Sequence, residues 1–255
     1  MHEPLLTVDT VDKNFGGVQA VKSLSFSIDR SEIVGLIGPN GSGKSTSVNL
    51  ISGTLPVTSG RISFDGKNLN GLSIGTRVSL GLSRTFQTTS VFPEFSVVDQ
   101  VLAACHTRFT LNPLRAVLRM TSARAEEASQ RDKALDIIDF VGLSAVRDQA
   151  GSALSSAQQR LLMIATALAS EPKLILLDEP AAGMVAKERK DLSRLIFGIR
   201  EKGIAVLVIE HHMGLIMDVC ERIVVLNFGQ KIAEGLPADV RANPSVIDAY
   251  LGGGH

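Results

Sequence analysis

The stretch Gly38-Pro39-Asn40-Gly41-Ser42-Gly43-Lys44-Ser45-Thr46 constrains this chain more than any other. It fits the pattern of a glycine, four residues, then G-K-[ST], in which glycines let successive backbone N–H groups turn inward on phosphate oxygens. A short apolar run, Glu32 to Ile37, precedes it, and Ser45 to Ile51 has helical character. A strand, a loop and a helix in that order put the loop at a helix N-terminus, whose positive partial charge favours an anion. Lys44 then reaches the β- and γ-phosphates of a nucleotide, and the Ser45 hydroxyl ligates Mg²⁺.

The rest of the chain reads as a frame for such a loop. Leu5 to Val11 and Leu24 to Ile28 alternate apolar with polar residues around a Gly16-Gly17 turn, and Gly60 to Phe64 runs into an Asp65-Gly66 turn. This is an antiparallel β pattern. From about Val97 to Gly142 the texture is helical, with a basic stretch from Arg108 to Arg124, a polar amphipathic run from Ala125 to Val141 and a break expected at Pro113. In the last third, a helix from Ala157 to Ser170, a strand Leu174 to Leu177, a helix Ala186 to Lys202 and a strand Ile204 to Ile209 follow one another. Strands without polar alternation, separated by helices of that length, belong to a parallel sheet covered on both faces. The fold class is α/β: a P-loop NTPase core with a parallel sheet, an antiparallel β subdomain and an inserted helical subdomain. Ile223 to Leu226, a Phe228-Gly229-Gln230 turn and Lys231 to Ala233 form a terminal hairpin, followed by a helix from Pro244 to Leu251.

Composition removes several classes of function. Lys plus Arg equals Asp plus Glu at 26 each, so the 255-residue chain lacks the basic field on which nucleic-acid binding relies. Hydrophobic residues make up 44% and the mean hydropathy is +0.20, which excludes disorder and leaves apolar surface for a partner. The longest apolar runs, such as Leu161 to Ala169, fall short of the roughly 18 to 20 residues a membrane span needs. No secretory signal is visible at the N-terminus. Cys105 and Cys220 stand alone, without metal-ligand spacing, and read as reduced, buried packing residues.

A second chemical motif is Leu174-Ile175-Leu176-Leu177-Asp178-Glu179-Pro180, an apolar strand ending in two carboxylates. An acid delivered by a buried strand beside a phosphate loop suits a second Mg²⁺ contact, the role of Asp178. Glu179, one residue on, can orient an attacking water or accept its proton.

These motifs, with Gln87 after Arg84-Thr85-Phe86, the segment Leu154-Ser155-Ser156-Ala157-Gln158-Gln159-Arg160 and His211, resemble the ATP-binding subunit of ABC transporters over nearly the whole chain. Asp178-Glu179-Pro180-Ala181-Ala182-Gly183, Ile209-Glu210-His211 and the ending Asn243-Pro244 to Gly252 most resemble the ATPases of branched-chain amino-acid importers. The resemblance implies one ATP-binding domain over residues 4–253, with core and β subdomain at 4–87 and 160–253 and a helical subdomain at about 88–159. It implies ATP and Mg²⁺ as ligands. Phe15 stacks on adenine, Gln87 touches the metal and the lytic water, His211 contacts the γ-phosphate, and Ser155, Ala157 and Gln158 face the nucleotide of a second ATPase subunit. Further implied partners are transmembrane permease subunits, docking near Thr88 to Val101, and indirectly an extracytoplasmic substrate-binding protein. The implied location is peripheral, on the cytoplasmic face of a bacterial membrane. Urea, other amino acids and lipid are alternative cargoes, and a degenerate regulatory subunit with weak hydrolysis is the alternative role.

Two departures stand out. The usual L-S-G-G-Q reads Leu154-Ser155-Ser156-Ala157-Gln158, and a Cβ at position 157 is costly if that residue needs a positive φ. Val185 stands where many relatives have an aspartate at the dimer interface. Pairing with a different ATPase predicts two unequal sites; a homodimer that tolerates Ala157 is the alternative.

Overall fold

The computed structural model describes residues 3–85, 91–105 and 120–251, the side chains of 120–127 excepted. Its strands are β1 (Leu6–Phe15), β2 (Val18–Ile28), β3 (Ile33–Ile37), β4 (Ser59–Phe64), β5 (Lys67–Asn68), β6 (Leu82–Arg84), β7 (Leu174–Asp178), β8 (Ala205–Ile209), β9 (Arg222–Asn227) and β10 (Gln230–Gly235). Its helices are α1 (Lys44–Ser52), α2 (Ile74–Leu80), α3 (Val97–Cys105), α4 (Met120–Phe140), α5 (Ser156–Ala169), α6 (Ala186–Glu201), α7 (Met213–Val219), α8 (Pro237–Ala242) and α9 (Pro244–Leu251). Contacts divide the chain into two compact units, Met1–Arg84 with Lys173–His255, and Thr85–Pro172.

The first unit holds two sheets. One is antiparallel in the order β2-β1-β4-β5; the other runs β10-β9-β3-β8-β7-β6, parallel except for the β10 edge. The α/β class expected from the sequence holds. Strands β3, β7 and β8 are buried at every position, the mark of a sheet covered on both faces. Leu6, Val8 and Phe64 of the first sheet share one apolar core with Leu36, Leu176 and Leu207 of the second. The alternation of β1 breaks at Thr10, where φ is +46° and the pairing slips. Beside that bulge the Asp12 carboxylate accepts hydrogen bonds from Ser23 N (2.8 Å), Gln19 Nε2 (3.0 Å) and Ser59 Oγ (2.7 Å), which tie β1 to both neighbours and hold its pKa below the usual range.

Helix α2 and strand β6 were not expected from the sequence, although the helix carries its own boundary signals. Ser73 Oγ accepts from Thr76 N at its start and Gly81, at φ +103°, ends it. Helix α7, equally short, lacks even a usual start signal: its cap is His212, whose Nδ1 accepts from Leu215 N at 3.3 Å, and histidine is not a usual cap.

In the second unit α3 packs against both α4 and α5, and Val97 and Val101 of α3 and Ile138 of α4 are buried. Helix α5 therefore goes whole with this unit, whereas the sequence-based boundary near 159 assigns most of it to the core. The break expected at Pro113, and residues 106–119 of the basic stretch, lie outside the described residues. Among the described residues no helix is long and apolar enough to cross a membrane. Both cysteines are free and buried.

Candidate functional site

Buried β3 delivers the chain to Gly38, where φ is +152° and a Cβ would lie 2.1 Å from the Leu226 carbonyl oxygen. Gly43 caps α1 at φ +100°, and a Cβ there would sit 2.8 Å from the Ala20 carbonyl oxygen. Backbone approaches backbone too closely for side chains at either place. The loop is pinned from the far side as well: Gly229 N donates to Ser42 O (2.9 Å) and Gly229 O accepts from Lys22 N (2.8 Å). The terminal hairpin thus braces the loop against β2.

Within this frame Lys44 Nζ donates to the carbonyls of Gly38 (2.7 Å) and Pro39 (3.0 Å). Burial lowers its pKa, and the negative charges of Glu179 and Asp178 act the other way. The Ser42 hydroxyl is buried without a hydrogen-bond partner among the described residues. Lys44, Ser45, Thr46, residues 40–43 and Glu179 line one cavity of about 400 Å³, with Val18 and Phe228 as its apolar rim. A cradle closed to Cβ atoms, an orphaned hydroxyl, a lysine and a helix N-terminus fit a phosphate-bearing ligand. No cluster of three His, Cys, Asp or Glu that could hold a metal occurs among the described residues; magnesium bound with a nucleotide needs no such cluster, because phosphate oxygens and water supply most of its ligands.

Asp178 ends β7 fully buried. Its Oδ2 pairs with Arg84 Nη2 at 2.8 Å, and Arg84 Nη1 also donates to Asn49 Oδ1 (2.7 Å) and Ser52 Oγ (3.0 Å) on α1. Glu179 leaves the strand at φ +49°. The His211 imidazole, just beyond β8, stands with Nδ1 4.0 Å from Glu179 Oε1. The structure therefore gathers Lys44, Ser45, Asp178, Glu179 and His211 at the ends of β3, β7 and β8. Phe15 ends β1, 45% exposed, with Lys13 Nζ 5.0 Å from its ring centroid on one face. At the start of the loop, partial burial raises the pKa of the Tyr250 phenol of α9, and the Gly38 backbone acts the other way.

Four residues fall elsewhere or outside. Gln87 lies outside the described residues. Ser155 and Gln158 lie in the second unit and cap α5 reciprocally, Gln158 N donating to Ser155 Oγ (3.2 Å) and Ser155 N to Gln158 Oε1 (2.9 Å). Ala157 lies in the first turn of that helix and is not among the residues with positive φ. The cost attached to its Cβ does not arise, because a helical residue accepts alanine better than glycine.

Sequence reasoning assigned no role to Arg84 or Glu210. For Glu210 the signal is a charged residue at the end of the apolar run Ala205–Ile209, which marks a buried ion that needs partners; Arg84, after Leu82-Ser83, carries no such local signal.

The ABC transporter family model matches residues 21–182, and the model for the branched-chain amino acid ATP-binding cassette transporter matches residues 230–255. The chain is 37% identical to the high-affinity branched-chain amino acid transport ATP-binding protein BraF of Pseudomonas aeruginosa, and equally to LivG of Escherichia coli K12, each over 99% of both chains. It is similar in structure to an ATP-binding cassette of an ABC transporter solved in its ADP conformation, with TM-score 0.84 and 30% identity over 98% of this chain and 100% of that one.

Proposed function

Since this chain belongs to the ABC transporter family, as an ATP-binding subunit, we propose that it hydrolyses ATP to drive an importer of branched-chain amino acids. The observation that carries the reading is the cavity in which Lys44 and Glu179 meet, in a chain similar along its whole length to such subunits. Phosphoryl transfer to water asks for positioning and charge stabilisation rather than covalent chemistry by the protein. Lys44 exchanges the Gly38 and Pro39 carbonyls for phosphate oxygens. Glu179 orients a water and takes its proton, His211 contacts the terminal phosphate, and Phe15 offers adenine the ring face opposite Lys13. Bound magnesium supplies charge neutralisation on the phosphates, held by Ser45 and Asp178 and, beyond the described residues, Gln87.

Two ATPase subunits close on each other in this reading, with Ser155, Ala157 and Gln158 turned to the other subunit's nucleotide. Permease subunits dock on the segment that includes Phe92 and Phe95, whose exposed rings meet edge to face at 5.9 Å and leave apolar surface that a partner loop can cover. The protein then works peripherally at the cytoplasmic face of the membrane.

The test has two arms. Lys44→Ala is expected to lose binding of a fluorescent ATP analogue, and Glu179→Gln to keep binding and lose turnover; binding retained without Lys44 overturns the site. Cells lacking this chain are expected to lose uptake of labelled leucine and to regain it from the wild-type gene but not from Glu179→Gln. Unchanged uptake overturns the cargo.

A further inference from the structure

The loop after Glu179 and the loop carrying His211 are joined by one buried carboxylate. Glu210 follows β8 directly and is 1% exposed. Its Oε1 accepts the Ala181 N–H at 2.8 Å, and its Oε2 accepts the N–H groups of His211 (3.1 Å) and His212 (3.2 Å). A carboxylate out of reach of water is costly unless donors surround it, and here three backbone donors converge on it. The same oxygen stands 3.9 Å from His211 Nδ1.

These bonds sit where the backbone is strained. Glu179 at φ +49° occupies the left-handed region, which a residue with a Cβ enters only when its surroundings compel it. Its own N–H is tied to the Ile209 carbonyl at 2.9 Å, and the next tether, two residues on, is Ala181 N–H on Glu210. The end of β7 is thereby stitched to the end of β8 on both sides of the turn.

We propose that Glu210 is a positioning residue for hydrolysis: by gripping the backbone on both loops it sets the separation of the Glu179 carboxylate from the His211 imidazole. The proposal rests on the hydrolytic roles given above to those two residues. Among the described residues Glu210 makes no hydrogen bond to the phosphate loop, so its loss acts on turnover and spares nucleotide affinity. A buried acid that only supported the fold would show no such split.

The full chain is compared with Glu210→Gln and Glu210→Ala. Glutamine keeps the size but turns an NH₂ group toward a backbone N–H. Turnover of magnesium–ATP is expected to fall about a hundredfold, as displacement of a reacting group by an ångström does. Affinity for a fluorescent ATP analogue is expected to hold within about twofold, since ground-state binding is untouched. His211→Ala and the double variant with Glu210→Gln are expected to be equally slow, because groups that act as a unit are not additive. Losses that multiply, or an equal loss of affinity, overturn the proposal. Amide exchange gives a reading independent of turnover. The N–H groups of Ala181, His211 and His212 are expected to be protected in the wild type and to exchange about tenfold faster in either variant, with Leu36 and Leu207 unchanged. Free exchange at these amides in the wild type overturns the proposal whether or not the variants fold. Protected amides in a wild-type chain without ATP turnover overturn instead the hydrolytic reading beneath it.

Discussion

The guanidinium of Arg84 grips the carboxylate of Asp178 at 2.8 Å, with side chains only 9% and 2% exposed. Because Arg84 also bonds Asn49 and Ser52, one side chain joins β6, β7 and α1. Its partner is the acid for which the strand-end motif suggests a magnesium contact.

Arg84→Met is expected to destabilise the chain by about 3–5 kcal/mol, since it strands a buried carboxylate. Arg84→Lys keeps the charge but not the fork and is expected to fall between. Urea unfolding with an unchanged m-value measures both; a loss for Arg84→Met no larger than a surface substitution's refutes the argument.

Arg77 is 4% exposed and held by four carbonyls, those of Leu50 (2.8 Å), Ile51 (2.7 Å), Leu69 (2.7 Å) and Leu72 (3.2 Å). Two of them end α1, where the helix dipole is negative. Arg77→Met removes a charged donor from all four carbonyls, although Leu50 O keeps Gly53 N (3.3 Å) and Leu69 O keeps Leu72 N (3.0 Å); a loss of about 3 kcal/mol is expected, with little rescue by lysine, whose single ammonium cannot reach four acceptors. Chemical denaturation of the three proteins checks it.

Val185 occupies the N-cap of α6 with extended geometry, 62% exposed, and only the reciprocal half of a capping box is present, Glu188 Oε2 accepting Val185 N at 2.9 Å. Val185→Thr or Val185→Asp supplies the missing acceptor. A gain of about 1 kcal/mol is expected from either, read as a raised melting temperature.

Burial, helped by the charge of Glu221, pushes the Cys220 thiol up to about 12. A thiol whose pKa is raised in the folded state contributes stability below the ordinary value of 9.0, and loses it as pH climbs toward 12. Iodoacetamide at pH 8 is expected to leave Cys220 unmodified in the native chain and to modify it once urea unfolds the protein. Cys220→Ala is expected to flatten the alkaline decline in stability.

The phosphate loop, the buried strands around it and the α/β class are legible in the sequence because each is a local pattern. Gly38 and Gly43 stand where backbone crowds backbone, and β3, β7 and β8 are apolar at nearly every position because both faces are covered. The short helices α2 and α7 were not expected, since seven residues give too little periodicity to read. The assignment of α5 to the helical unit was equally hidden, because it depends on packing with α3 and α4.

By itself, then, the sequence determined the chemistry offered: a lysine and hydroxyls on a glycine loop, two acids at a strand end and a histidine beyond another. Only the tertiary structure decided how those groups are held. Arg84 meets Asp178 across 94 residues, and Glu210 reaches Ala181 across 29. Both pairings exist because buried charge must find partners wherever the fold brings them, and no local spacing encodes that.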